Sequence, residues 1–159
     1  MPSVTEDEIR RFAAGLPGVA IQVADEAGGA PEVARGDSFL FYDAEGDPAN
    51  RRFPFATIVT KDYGGFDEAS DLDREGVFRL NVSVDRHRFE ELIGYPPAKH
   101  AEHEADFDHT AIDTLLPHPV YARQAWVSIL NPGRETSDQA LALITEARDR
   151  AAARHRPRV

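Results

Sequence analysis

Val77-Phe78-Arg79-Leu80-Asn81-Val82-Ser83-Val84 is the stretch that decides the fold. Successive side chains of a strand point to opposite faces. Phe78, Leu80, Val82 and Val84 therefore form an apolar face, and Val77, Arg79, Asn81 and Ser83 a mixed, polar one. A strand that buries one face only belongs to an antiparallel sheet with a core on one side. The next residues continue the pattern. Asp85 is placed to cap a helix, Val84 and Phe89 are spaced as a hydrophobic staple, and Phe89, Leu92 and Ile93 face inward until Gly94-Tyr95-Pro96-Pro97 stops the turn sequence.

Upstream, Thr5 and Glu8 form a capping-box pair, Val4 can staple to Ile9, and Ile9, Phe12 and Leu16 give a helical stripe that ends at Leu16-Pro17-Gly18. Val19 to Val23, Ser38 to Tyr42 and Phe55 to Thr60 read as three strands. They are separated by a loop through Gly28-Gly29-Ala30-Pro31 and by turn residues from Asp43 to Pro48. Downstream, the acidic, histidine-rich tract Lys99 to His109 reads as a loop, and Ala111 to Leu116 as one or two helical turns ending at Pro117. Ala125 to Leu130 is the fifth strand. Thr136 to His155 is a long helix with a Thr136/Gln139 capping box and a stripe of Leu141, Ile144, Ala147 and Ala151. Strands in a run, with helices before and after, predict an α+β fold: an antiparallel sheet of about five strands with helices packed on one face. No repeat or composition break divides the chain, so 1–159 reads as a single domain.

The 159 residues suffice for a core, since roughly two-thirds of the unfolded surface can be buried at that size. With no cysteine there is no disulfide framework and no thiolate chemistry, and no cofactor is implied. The Met1-Pro2-Ser3-Val4-Thr5-Glu6-Asp7-Glu8 start lacks the features of a signal peptide, and no long apolar run suggests a membrane span. The expected location is the cytoplasm. A net charge of −10, with lysine only at positions 61 and 99, argues against a polyanion partner. Arg148, Arg150, Arg154, Arg156 and Arg158 are expected to complement the negative end of the last helix and a solvated tail.

Several clusters carry possible chemistry. His100, His103 and His109, interleaved with Glu102, Glu104, Asp106 and Asp108, supply donors for a divalent ion, although their composition fits a solvated acidic loop better. Asp62, Asp67, Glu68, Asp71 and Asp73 could bind calcium or supply a base, but the spacing departs from an EF-hand and fits a structural turn, with Asp71 or Asp73 capping or pairing Arg74. Arg79 and Asn81 share one strand face, where Arg79 could hold an anion and Asn81 orient it, with Arg51 and Arg52 nearby. The plainer account is an ordinary solvent face. His118, held between Pro117 and Pro119, is a candidate acid or base, for which Asp113 is the nearest carboxylate in sequence. Tyr121 and the single tryptophan, Trp126, are amphipathic residues beside the fifth strand. Ser128 lacks the exposed turn of a hydrolase nucleophile.

The strings Arg52-Phe53-Pro54-Phe55-Ala56-Thr57-Ile58-Val59, Ser70-Asp71-Leu72-Asp73-Arg74, Gly76-Val77-Phe78-Arg79-Leu80-Asn81, Leu116-Pro117-His118-Pro119-Val120-Tyr121 and Trp126-Val127-Ser128-Ile129-Leu130-Asn131-Pro132 resemble a family of uncharacterised actinobacterial proteins. The likeness runs from about Ser38 onward and implies no particular activity. More distantly, the succession of a histidine-bearing segment, a tryptophan-bearing strand and a long terminal helix is similar to the MmcQ/YjbR-like proteins, small α+β domains sometimes described as DNA-binding. That resemblance implies the fold, while the acidity of the chain opposes the DNA role.

Three functions are therefore carried forward. The first is a non-catalytic module that binds a small molecule or a protein through the sheet face and the segment His118 to Asn131, using Arg79, Asn81, His118, Tyr121 and Trp126. The second is a metal-independent enzyme with His118 as acid or base and Arg79 as anion clamp. The third is DNA binding. Edge strands could pair in a dimer, and the oligomeric state stays open.

Overall fold

The computed structural model describes residues 4–25, 36–51 and 53–155. The loop around Gly28 to Pro31, Arg52, and the tail arginines Arg156 and Arg158 lie outside them. The elements are α1 (Glu6–Ala14), β1 (Val19–Val23), β2 (Ser38–Tyr42), β3 (Ala56–Val59), β4 (Arg79–Ser83), α2 (Arg86–Ile93), β5 (Leu115–Pro117), β6 (Trp126–Leu130) and α3 (Ser137–Arg154). The six strands form one antiparallel sheet in the order β1-β2-β3-β4-β6-β5. The class is α+β, as the alternation of the β4 region predicts.

The predicted helical turns over Ala111 to Leu116 are instead a strand end. Leu115 and Leu116 pair with Ile129 and Ser128. A three-residue strand is too short to show a period, and its proline is tolerated because β5 is an edge. The Lys99 to His109 tract is also more ordered than a loop, forming short 3-10 turns at Pro97–Glu102 and Glu104–Asp106.

The core lies between the sheet and the three helices. Leu40, Ala56, Ile58, Leu80, Val82, Val127 and Ile129 from the strands meet Ile9, Ala13, Phe89, Leu143, Ile144 and Ala147 from the helices. Two of the three predicted N-terminal caps form: the Thr5/Glu8 capping box, and Asp85, whose side chain accepts from Arg88 N. α2 stops at Gly94, whose φ of 106° is open to glycine. Among the described residues, no helix is long and apolar enough to cross a membrane.

The start of α3 departs from the predicted capping box. Thr136 makes no side-chain cap bond. Its hydroxyl donates instead to Asp113, from the segment before β5. Asp113 Oδ1 also accepts from Gly133 N and Thr136 N, and Oδ2 from Glu135 N, at 2.8 to 2.9 Å. One carboxylate thus gathers the amides of the turn into α3. Burial pushes its pKa up, but the combined hydrogen bonds outweigh that and hold it at about 2. Gly133 keeps this contact close, since a Cβ there would lie 3.1 Å from Asp113 Oδ2. Asp113→Ala is expected to strand these donors and cost about 2–4 kcal/mol. Denaturant unfolding measures this, and a change within ~0.5 kcal/mol would show that the turn holds itself.

Candidate functional site

The sheet face opposite the helices carries the polar residues of β4. The antiparallel register aligns Phe39, Thr57, Asn81, Ser128 and Leu116 in one row across five strands. Arg79 lies between Val59 and Leu130 in the row on one side, and Ser83 pairs with Trp126 in the row on the other. The connection between β3 and β4 folds over this face. Its Leu72 packs with Val59 and Leu130 in a second apolar cluster, with Tyr63 and Val77 against it.

Arg79 bolts that connection down. Its side chain is 0% exposed, which excludes the solvent-facing account. Nε donates to Asn81 Oδ1 at 2.8 Å, Nη1 to Asp67 Oδ1 at 3.0 Å and to Ser70 Oγ at 2.8 Å, and Nη2 to Asp67 Oδ2 at 2.5 Å. The expected anion clamp is therefore already filled by the protein's own carboxylate. Asn81 passes the network on, donating from Nδ2 to Thr57 Oγ1 at 3.0 Å. Nearby, buried Asp37 accepts from Thr60 N and from the Tyr63 hydroxyl, tying the start of the connection to the residue that leads into β2. Burial raises the pKa of Asp37 against these hydrogen bonds, and burial with the Asp37 carboxylate raises that of Tyr63.

The rest of the second acidic cluster is structural, as its spacing predicts. Asp62 Oδ1 accepts from Leu72 N, Asp73 Oδ1 from Asp62 N, and Asp71 pairs with Arg74 at 3.7 Å. Arg51, expected near Arg79, instead pairs with Asp43.

Between the connection and the β5–β6 turn lies a cavity of about 250 Å³. Phe39, Pro54, Val59, Phe66, Tyr121 and Trp126 supply its apolar walls, and Thr57, Tyr63, Asp67, Asn81 and His118 its polar lining. Asn81, His118, Tyr121 and Trp126 are thus brought together in its lining, while Arg79 stands beneath and positions Asp67. Phe39, Thr57, Tyr63, Phe66 and Asp67 were not predicted as lining residues. Phe66 and Tyr121 meet edge to face at 6.1 Å and remain 57% and 41% exposed, forming an aromatic rim.

His118 is buried, and its Nδ1 accepts from Val120 N and Tyr121 N, both at 3.0 Å. Two donors at Nδ1 leave the proton of the neutral ring on Nε2. Asp113, the predicted orienting carboxylate, is occupied at α3. Burial, then the charge of Arg79, then His109 hold the His118 pKa well below the ordinary histidine range.

Two of the candidate metal ligands are engaged elsewhere. His100 Nδ1 bonds to the Tyr95 hydroxyl at 2.7 Å, and His103 stacks on Tyr95 at 4.1 Å and pairs with Asp106. Among the described residues, His100 Nε2 and His109 Nδ1 are buried without a hydrogen-bond partner. Among the described residues, no group of three or more His, Cys, Asp or Glu could hold a metal ion.

Residues 4–159 match the family described as "Family of unknown function (DUF6194)". The chain belongs to this family. No curated protein matches it. The structure of this DUF6194 protein is similar to the crystal structure of Deinococcus radiodurans protein DR2400, a DUF419 domain of the MmcQ/YjbR-like fold family. The TM-score is 0.50 at 17% identity, covering 92% of this chain and 78% of the other. At that identity the likeness speaks for the fold alone.

Two outcomes test the electrostatics of the DUF6194 site. Arg79→Met is expected to cost about 3–5 kcal/mol in denaturant unfolding by leaving Asp67 unpaired, with part of the loss recovered in Arg79→Met/Asp67→Leu. A double variant no more stable than the single one would show that the unpaired carboxylate is not the cause. Separately, His100, His109 and His118 all have pKa values depressed below 6.5, chiefly by burial. The unfolded chain then binds more protons, so stability is full above about pH 6.5 and falls as pH drops below it, by up to ~1.4 kcal/mol per pH unit per histidine. Melting temperatures from pH 7 to 5 read this directly, and a flat profile would contradict it.

Proposed function

We propose that this domain is a binding module without catalysis, taking a small molecule into the cavity on the sheet face opposite the helices. The cavity itself carries this reading. Its walls are largely aromatic, and its polar lining is held in place by hydrogen bonds that exist before any ligand arrives. Concave, mostly apolar sites with a few oriented polar groups are the usual form of small-molecule sites, and preorganisation lowers the cost of binding.

The enzyme alternative is less well supported. An acid or base must change protonation during a cycle. His118 is oriented by two backbone amides instead of a carboxylate, and its surroundings resist the imidazolium. Such a ring is a good fixed donor and a poor proton carrier. DNA binding remains opposed by the net charge of −10.

Trp126 is the only tryptophan and lines the cavity, so its emission reports occupancy. In a thermal-shift screen of small aromatic, aliphatic and sugar-like compounds, those that raise the melting temperature are expected also to change Trp126 emission, and to be recovered chemically unchanged. Phe66→Ala, at the exposed rim, is expected to weaken binding about 5- to 50-fold with little loss of stability. Stabilising compounds that leave Trp126 emission untouched would place binding elsewhere, and turnover of a bound compound would restore the enzyme reading.

A further inference from the structure

We propose that the cavity selects an uncharged aromatic ring bearing a hydrogen-bond acceptor, a carbonyl or a ring nitrogen, which takes the Nε2–H of His118. The inference rests on the reading of the cavity as a ligand site and goes on to name what it admits.

An inventory of what the lining still has to offer carries the argument. Asp67 faces the cavity, but each of its oxygens takes an N–H from Arg79. The pair is charge-balanced. Asn81 has its carbonyl engaged by Arg79 and its amide engaged with Thr57. The Tyr63 hydroxyl is given to Asp37. Thr57 Oγ1 accepts from Asn81 and keeps its hydroxyl hydrogen and one lone pair to offer. His118 has Nδ1 fully used, and its ring lines the cavity. Among the described residues Nε2 has no partner, and it is not one of the buried, sealed-off polar atoms that lack one. Among these groups His118 Nε2–H is the donor whose direction is fixed, since two backbone amides hold the ring through Nδ1.

Charge and shape narrow the class further. An anion would meet the Asp67 carboxylate, and a cation would find that carboxylate already neutralised by Arg79. Neither gains a counter-charge in return for leaving water. The cavity of about 250 Å³ lies below the range of drug-sized pockets and suits one or two rings. Aromatic walls favour flat ligands through stacking and edge-to-face contact.

The test is calorimetric titration with four one-ring probes: acetophenone, ethylbenzene, benzoate and benzylammonium. Wild-type protein is compared with His118→Asn, whose side-chain carbonyl can still accept from the Val120 and Tyr121 amides while the Nε2–H is gone. Acetophenone is expected to bind about tenfold more tightly than ethylbenzene, the worth of one net hydrogen bond, and more tightly than either ion. In His118→Asn the tenfold preference should vanish while ethylbenzene binding persists. Equal binding of acetophenone and ethylbenzene to wild type, a preference that survives in the variant, or tightest binding of either ion would overturn the assigned class and leave the cavity as a ligand site. Absence of binding by all four, together with no response in the Trp126 screen, would remove the site itself. Should the variant fail to fold, the wild-type comparison of acetophenone with ethylbenzene decides alone.

Discussion

The pairing of Arg79 with Asp67 is the constraint on which the functional half of this molecule depends. A guanidinium and a carboxylate taken out of water lose solvation that their mutual attraction returns only when geometry is good and the remaining donors are satisfied. Here the contact is bidentate, and Ser70 and Asn81 take further N–H groups. The pair also joins the polar face of β4 to the connection that folds over it, beside the packing of Leu72 on Val59 and Leu130. With that bond in place, Leu72 reaches the small apolar cluster, Tyr63 reaches Asp37, and Phe66 stands at the rim. The cavity is the space left between a sheet and a loop held at a fixed distance.

This division explains which parts were legible from residues alone. Thr5 with Glu8, Asp85 with Arg88, and the alternation through β4 are local patterns, in which cause and effect lie within a few positions. The core-facing stripes and the fold class followed from them. Asp113 was misassigned because its partners lie 20 to 23 residues away, and no spacing rule links a carboxylate before a short edge strand to the turn into the last helix. Alternation puts Arg79 on the polar face, but its partner is one of six acidic residues in an irregular segment, and composition allows any of them. β5 escaped because three residues hold no periodicity and Leu115-Leu116-Pro117 reads equally well as the end of a helical turn.

The same division governs what similarity can carry. Membership of DUF6194 spans residues 4–159, and the likeness to the DUF419 domain spans most of the chain. A shared sheet order requires only the local patterns and the helix-side core. The cavity requires in addition the particular donors and acceptors of the β3–β4 connection, and a fold can be kept while these change. Function therefore depends on Asp67, Asn81 and His118 and not on the architecture shared with the neighbour.

Structure and recognition meet at Arg79. Its charge is the second cause, after burial, of the depressed pKa of His118. The guanidinium that pins the covering loop therefore also disfavours the imidazolium form of a ring lining the cavity. With Nδ1 held by two backbone amides, the neutral ring carries its proton on Nε2. A protonated histidine there would create an unbalanced positive charge beside a neutralised ion pair, and the cavity would then favour anions. Keeping His118 neutral keeps the whole lining uncharged in sum, so one buried ion pair sets both the shape of the site and the polarity of what it can accept.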